Sequence, residues 1–149
     1  MSSKHLSKIV RAEQGRKQNV LGDEETVKLC GADTGGQLLL IEQTSLPGVG
    51  IPLHVHINED EIFHVISGSL KVVVGKEEHV LEAGDLAFCP RGIPHSWEVV
   101  GTERARVLLT NTPAGLEHML SALAALPPDA GTEEIQQISS EYGISFCHG

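Results

Sequence analysis

Four residues of this sequence are of the types and spacing that bind a metal ion together: His54, His56, Glu61 and His95. His54 and His56 are two positions apart in a β-like stretch, so both side chains project from one face of a strand, with about 6.6 Å between their Cα atoms. Imidazole and carboxylate groups are common protein ligands of divalent transition metals. The spacing therefore predicts one metal site with three imidazoles and one carboxylate.

The turn after His56 should bring Glu61 back toward the two imidazoles. Segment 58–60, Asn-Glu-Asp, has turn composition, and Glu61 opens the next apolar run, so we expect the carboxylate to face the histidines across a hairpin. His95 follows a turn rich in proline and glycine and alternates with polar residues together with Trp97. This alternation predicts that His95 lies on the apolar inner face of a strand.

The two segments that contain these residues resemble the motifs of the cupins, a family of small metal-binding β-barrel proteins. The motif positions of the first segment are Gly48, His54, His56, Glu61 and Gly68, and those of the second are Gly84, Pro90, Gly92 and His95. Val99 departs from the family pattern, which often has Asn there, but that Asn is not a metal ligand of the family. The short interval between the motifs is similar to that of compact single-domain bacterial members, and the C-terminal part is similar to that of quercetin dioxygenase-like cupins.

The resemblance implies an all-β fold, the cupin double-stranded β-helix or jelly-roll barrel, with short C-terminal helices. The length of 149 residues suits one domain over 1–149. We predict a barrel over about 20–111 and a helical extension over about 112–149.

The helical extension is predicted from caps and apolar spacing. Thr112 and Pro113 predict the start of a first helix, and Thr132 predicts the start of a second, which ends at Gly143. We interpret the extension as packing against the barrel, with a moving lid as the alternative. The terminal Cys147-His148 pair is interpreted as a tail and not as a second metal site.

Composition argues against several partners. The net charge of −9, the absence of a basic run, and the content of one Trp, one Tyr and three Phe argue against nucleic acid and anionic membranes. No stretch is apolar enough for a membrane span, so we expect a cytoplasmic protein that acts on a small molecule. Three cysteines without close spacing predict no disulfide framework, and Cys89 is interpreted as a buried thiol, not a fifth ligand.

Four donors leave one or two positions of a five- or six-coordinate ion open for water, dioxygen or a substrate oxygen. The ion is predicted to be one divalent transition metal, Fe, Ni, Mn, Zn, Co or Cu, with its identity undetermined by the ligands. Phe63 and Trp97 share the inward parity and are candidate substrate-lining residues, whereas Val65 and Val99 are interpreted as core. His64, His79 and His118 are expected on the surface or at an interface, and His5 in the chain before the first strand.

The resemblance implies a metal-dependent dioxygenase that acts on a small chelating substrate, aromatic or enolisable, with Glu61 as ligand, catalytic base or both. Two alternatives remain open: a metal-dependent isomerase or lyase, and a non-catalytic metal or small-ligand binding module. The segment 37–41 is apolar on both strand faces, which predicts a homodimer.

Overall fold

Two antiparallel β-sheets face each other and form the barrel in the computed structural model, which describes residues 7–147. His5 and His148 lie outside the described residues. The strands are β1 (Arg16–Val20), β2 (Asp23–Leu29), β3 (Leu39–Ser45), β4 (Gly50–His56), β5 (Asp60–Ser67), β6 (Ser69–Val74), β7 (Glu77–Leu81), β8 (Leu86–Cys89), β9 (His95–Val100), β10 (Ala105–Thr112) and β11 (Ile144–Phe146). The helices are α1 (Gly31–Thr34), α2 (Leu116–Ala124) and α3 (Thr132–Glu141).

One sheet has six strands in the order β1-β2-β3-β10-β5-β8, and the other has five in the order β11-β4-β9-β6-β7. Sequence alternation determines which side chains point between the sheets. In β5, for example, Glu61, Phe63 and Val65 are buried inside the barrel, while Ile62 and His64 are half-buried on the outer face. The predicted all-β jelly-roll architecture with short C-terminal helices is confirmed, since this double-sheet barrel is the cupin arrangement.

The predicted hairpin between His56 and Glu61 is wrong. The two strands belong to different sheets: β4 pairs with β9 and β11, whereas β5 pairs with β10 and β8. The turn between them therefore crosses from one sheet to the other. Because packed sheets lie about 10 Å apart, a side chain from each wall can still reach the middle. Glu61 faces the histidines across the barrel interior, not across a ladder of backbone hydrogen bonds.

The C-terminal segment differs from its prediction where the first helix begins and after the second helix ends. Thr112 does not cap a helix, because its backbone pairs with Asp60 in the sheet, and the helix begins only at Leu116, after the turn at Gly115. The predicted helix from Thr132 is confirmed and ends at Glu141. The short strand β11, which sequence analysis did not predict, then pairs with β4. The C-terminal segment is therefore tied directly to the strand that carries two of the histidines.

The C-terminal helices close one side of the barrel. Leu116, Met119 and Leu123 of α2 are buried in the core, and Ile135 and Ile138 of α3 pack against it. Within residues 7–147, no helix is both long enough and apolar enough to cross a lipid bilayer.

Candidate metal centre

The four predicted ligands converge in the barrel. His54 and His56 come from β4, Glu61 from β5 and His95 from β9, and all four side chains are buried. One potential ligand atom from each lies within 4.8 Å of all the others. Three strands from both sheets thus bring four metal-binding groups to one point. The arrangement is compatible with a single divalent ion.

The distances between the donor atoms are compatible with binding of one shared ion. The Nε2 atoms of His54 and His56 are 3.1 Å apart, and Glu61 Oε2 lies 2.6 Å from His95 Nε2 and 3.4 Å from His56 Nε2. Donors placed 2.0–2.2 Å from one ion at ligand angles near 90–110° are separated by about 3 Å. Little rearrangement of the side chains would therefore be needed to bind a metal.

The hydrogen bonds of the rings also point to a cation between them. His54 Nδ1 lies 2.8 Å from the carbonyl oxygen of Pro52, which can only accept, so this nitrogen carries the proton. His56 Nδ1 faces the carboxylate of Glu59 at 3.4 Å, which favours the same tautomer. Both Nε2 lone pairs are then directed at each other. A positive ion between them would remove the repulsion.

The protonation states suit metal binding as well. Burial, together with the neighbouring His95 and His56, lowers the pKa of His54 to about 4, so its ring is neutral at physiological pH. Burial alone would raise the pKa of Glu61, but the hydrogen bond with His95 and the electrostatic interaction with the neighbouring histidines outweigh burial and lower it. A neutral imidazole and an ionised carboxylate are the forms that bind metals.

Two further residues support the site: Glu59, which was not recognised from the sequence, and Gly92, a position of the second motif. Glu59 was assigned to a turn, yet its side chain is buried beside His56 Nδ1, where it can orient that ring. Gly92, with φ of +83°, donates its backbone N–H to the carbonyl oxygen of His56 at 2.8 Å. It thereby fixes the turn before His95 against the strand that carries His56. The only sequence feature that pointed to Glu59 was its position two residues before the predicted ligand Glu61.

A cavity of about 460 Å³ leads to the donor cluster. Its wall is mainly apolar and comes from β4, both longer C-terminal helices and β11. Trp97 lines the cavity, as does Phe146, whose ring lies 5.9 Å from that of His54. Phe63 instead packs edge to face against His95, with 6.0 Å between the two ring centroids. Phe63 therefore supports His95, while Trp97 and Phe146 can contact a ligand directly.

The cavity also contains polar side chains that sequence analysis missed. Asp23 and Glu25 of β2 line it together with Gln43 and Asn111. The sequence did contain an indication that Asp23 and Glu25 are buried. Both alternate with Glu24 and therefore share the strand face of Val27, which is buried. Burial and the charge of Asp23 raise the pKa of Glu25 to about 7, and burial raises that of Asp23.

Replacing Glu25 by glutamine should make the protein more stable than the wild type at pH 8 but not at pH 4. The pKa of Glu25 is raised in the folded state from 4.5 to about 7, so the folded protein holds this proton more tightly than the unfolded chain. The stabilisation from this tighter proton binding is complete below the pKa of Glu25 in the unfolded chain and is lost as the pH rises through its pKa in the folded protein. The glutamine amide cannot ionise, so the variant does not suffer this loss. At pH 8 its free energy of unfolding should exceed that of the wild type by at most about 3 kcal/mol.

Urea unfolding of Glu25→Gln and wild-type protein at pH 4, 6 and 8 measures this difference. Glu24→Gln on the exposed face of the same strand is the control and should follow the wild type at every pH. Parallel stability curves for Glu25→Gln and wild type would contradict the raised pKa.

Four other histidines and cysteines of the described residues were considered as ligands or surface groups: Cys89, His64, His79 and His118. Cys89 is a buried free thiol in β8, and burial together with the charge of Glu61 raises its pKa to about 12, so it stays protonated. His64 lies on the outer face of its sheet, and His79 and His118 are exposed. None of these four belongs to the donor cluster of His54, His56, Glu61 and His95.

Comparison with known proteins supports the same family. The cupin domain model matches residues 41–111. Quercetin 2,3-dioxygenase of Bacillus subtilis (strain 168) is 28% identical over 131 residues, which is 84% of this chain and 39% of that protein. Tetracenomycin polyketide synthase protein TcmJ of Streptomyces glaucescens is 33% identical over 93 residues, which is 57% of this chain and 62% of that protein. The chain thus spans less than two thirds of each relative.

A solved structure extends the likeness to the fold. KdgF from Halomonas sp. superposes with a TM-score of 0.66 over 74% of this chain and 99% of that chain, at 18% identity. Likeness at this identity concerns the architecture alone. The double-sheet barrel and the superposition lead to one conclusion: this chain has the cupin fold, and its residues 41–111 match the cupin domain model.

Proposed function

We propose that this protein is a metal-dependent dioxygenase for a small chelating substrate, aromatic or enolisable. The observation that carries the proposal is the location of the donor cluster at the wall of a mainly apolar cavity of about 460 Å³. Cavities of roughly 300–1,000 Å³ hold small organic ligands. The resemblance to quercetin dioxygenase-like sequences supports the choice of dioxygen chemistry.

In the proposed site, His54, His56, Glu61 and His95 hold one divalent ion. The bound ion would supply open positions for a substrate oxygen and Lewis-acid activation of it. The tautomers fixed by Pro52 and Glu59 keep the Nε2 atoms of His54 and His56 available for that purpose. The protein thus orients its ligands before the metal arrives.

Glu61 has a second proposed role, which is to accept the proton of a substrate hydroxyl. Its Oε2 atom makes the contacts with His95 and His56. We therefore propose that the other oxygen of this carboxylate, Oε1, accepts the proton of the substrate hydroxyl. A carboxylate that is ionised at neutral pH can act as such a base when a substrate hydroxyl lies within hydrogen-bond reach of it.

The cavity wall would exclude water from the reacting groups. Trp97, Phe146 and the apolar faces of α2 and α3 surround the space in front of His54. An apolar aromatic substrate would bury its rings against this wall, while its chelating oxygen atoms reach the cluster. Polar interactions strengthen when water is excluded.

Elemental analysis followed by an oxygen-uptake screen tests the function. Protein purified without added metal is first analysed for transition metals, and the loaded protein is then mixed with catechols, flavonols and β-diketones in an oxygen electrode. Oxygen consumption that matches substrate loss is expected. Substrate conversion without oxygen uptake would instead indicate a metal-dependent isomerase or lyase. Tight binding without conversion of any substrate would indicate a binding module.

We also propose a homodimer formed through the outer face of the six-stranded sheet. Leu40, from the segment predicted to form an interface, lies in a cross-strand row with Thr110, Ile62 and Phe88. Phe88 is 55% exposed, and the neighbouring Leu86 is 61% exposed. Such a row of exposed and half-buried apolar groups favours association with a second copy.

Phe88→Lys should convert the dimer into a monomer. A charged side chain within the proposed interface would lose its hydration on association, which costs several kcal/mol. Sedimentation at tens of micromolar measures the change, with Val80→Lys, an exposed valine of the other sheet, as the control. A wild-type monomer at that concentration would overturn the proposal.

A further inference from the structure

Asn111 is a buried amide in the wall of the cavity, next to Glu61. In the six-stranded sheet, Asn111 of β10 pairs with Leu39 of β3 on one side and with Glu61 of β5 on the other. Side chains of directly paired residues project to the same face of a sheet, with Cβ atoms about 4.5–5.5 Å apart. Asn111 and Glu61 both line the cavity. A ligand group bound beside Glu61 therefore has Asn111 as its neighbour.

The protein itself does not satisfy the Asn111 side chain. Asn111 is 1% exposed, and its Oδ1 atom has no hydrogen-bond partner among the described residues. Buried side-chain polar atoms nearly always have a partner, and an unpaired one lowers the stability of the folded state. The amide oxygen thus lacks a donor at the point where the cavity passes the metal ligands.

Packing alone does not account for an amide at this position. Leu39, beside Asn111 in the sheet, and Leu109, two positions earlier on the same strand face, are buried apolar residues. A leucine has nearly the size of an asparagine and would fill the space without an unpaired oxygen. In ligand cavities, the few polar groups of a mainly apolar wall fix the orientation of the ligand. The missing partner of Asn111 is therefore expected in a bound ligand.

The chemistry of the two neighbouring side chains selects the ligand group. An amide oxygen only accepts hydrogen bonds, so its partner must be a donor. Glu61, beside it, is proposed above to accept the proton of a substrate hydroxyl. Two acceptors on adjacent strands thus suit two adjacent hydroxyls, as in a catechol. In a flavonol or a β-diketone the second oxygen is a carbonyl, which cannot donate.

We propose that Asn111 is a specificity-determining residue that accepts a hydrogen bond from a second substrate hydroxyl, adjacent to the hydroxyl whose proton Glu61 accepts. The preferred substrates are then aromatic vicinal diols of the catechol type. The inference rests on the proposed function for the use of this cavity. It deepens that function by choosing one of its substrate classes over flavonols and β-diketones.

Calorimetric titration of zinc-loaded protein with matched probes tests this role. Zinc has no redox chemistry, so binding is measured without turnover. Guaiacol differs from catechol by a methyl ether in place of the second hydroxyl. The wild type should bind catechol more tightly than guaiacol, and Asn111→Leu should reduce the ratio of the two dissociation constants by about fivefold or more, as expected for one hydrogen bond. Metal chelation occurs in both proteins and cancels in this comparison.

Tropolone tests the requirement for a donor. It has nearly the size of catechol, but a carbonyl lies next to its hydroxyl. Asn111→Leu should therefore bind tropolone with an affinity within about twofold of the wild type, because no hydrogen bond to Oδ1 is lost. Gln137→Leu, which removes an exposed amide on α3 outside the cavity lining, is the control and should keep the wild-type ratio of catechol to guaiacol.

The stability of the ligand-free, metal-free protein distinguishes ligand binding from a structural role. An apolar side chain in place of an unpaired amide should leave the midpoint of urea unfolding unchanged or raise it. If Asn111→Leu does not fold, Asn111→Ala replaces it and should show the same loss of ratio. A lower midpoint together with an unchanged ratio would make Asn111 a structural residue.

Three results would overturn the assignment: an unchanged ratio in the variant, an equal loss of affinity for tropolone, or no binding of catechol to the wild type. The dioxygenase activity is tested separately, because this assay consumes no oxygen. Oxygen uptake with flavonols, combined with an unchanged ratio, would leave the proposed function standing and remove Asn111 from it.

Discussion

His56→Ala protein purified without added metal should contain at least about tenfold less transition metal than the wild type, which should carry about one ion per chain. The substitution removes one of four buried donors and leaves water as its only replacement. It also removes the partner of Glu59 and the Nε2 atom that lies 3.1 Å from His54 Nε2. Loss of a residue that merely orients a ligand already lowers metal affinity by about 10- to 100-fold, so loss of the ligand itself should do more.

Elemental analysis of the purified proteins provides the measurement, and His118→Ala is the matched control. His118 is an exposed histidine on α2, far in sequence from the cluster, so its loss should leave the metal content unchanged. Thermal unfolding with and without a chelator adds a second measurement, because a metal that binds only the folded state raises its melting temperature. Full metal content in His56→Ala would show that the ligand assignment is wrong.

The four members of the donor cluster could be predicted from the sequence because the information is local. Strand alternation places His54 and His56 on one face, and the turns before Glu61 and His95 are marked by their composition. The structure brings these side chains together, and it buries Phe63 and Trp97 inside the barrel.

Local sequence patterns could not predict to which of the two sheets each strand belongs. A short polar turn after His56 is compatible with a hairpin and with a crossing between sheets, and the choice depends on which strands pair with β4. Those partners, β9 and β11, are about 40 and 90 residues further along the chain, and pairing over such distances leaves no local pattern. The contribution of Phe146 to the cavity depends on the same long-range pairing.

Buried polar groups were missed for a different reason. Composition rules assign Asp23 and Glu25 to a turn and an exposed strand, because carboxyl groups are seldom buried. Their alternation with Glu24, on the face shared with Val27, was the better guide. Residues that break a local rule are expected at functional sites.

Glu61→Gln should separate the two roles proposed for this carboxylate, once a substrate is identified. As a ligand, the amide still offers an oxygen but no charge, so metal affinity should fall. As a proton acceptor, the amide cannot take the proton, so turnover at full metal loading should fall by roughly 10²-fold to 10⁴-fold. We expect the second effect to be the larger, because His54, His56 and His95 together with solvent can hold the ion.

The two effects are separated by measuring turnover per bound metal, with the metal content of each sample determined by elemental analysis. Glu77→Gln, an exposed glutamate on β7, is the control for loss of a carboxylate and should match the wild type in both quantities. A fall in metal content alone, with wild-type turnover per bound ion, would leave Glu61 as a ligand only. Unchanged turnover at full loading would remove Glu61 from the mechanism, because no proton transfer would then depend on its carboxylate. The function would in that case be binding or Lewis-acid catalysis at the three imidazoles.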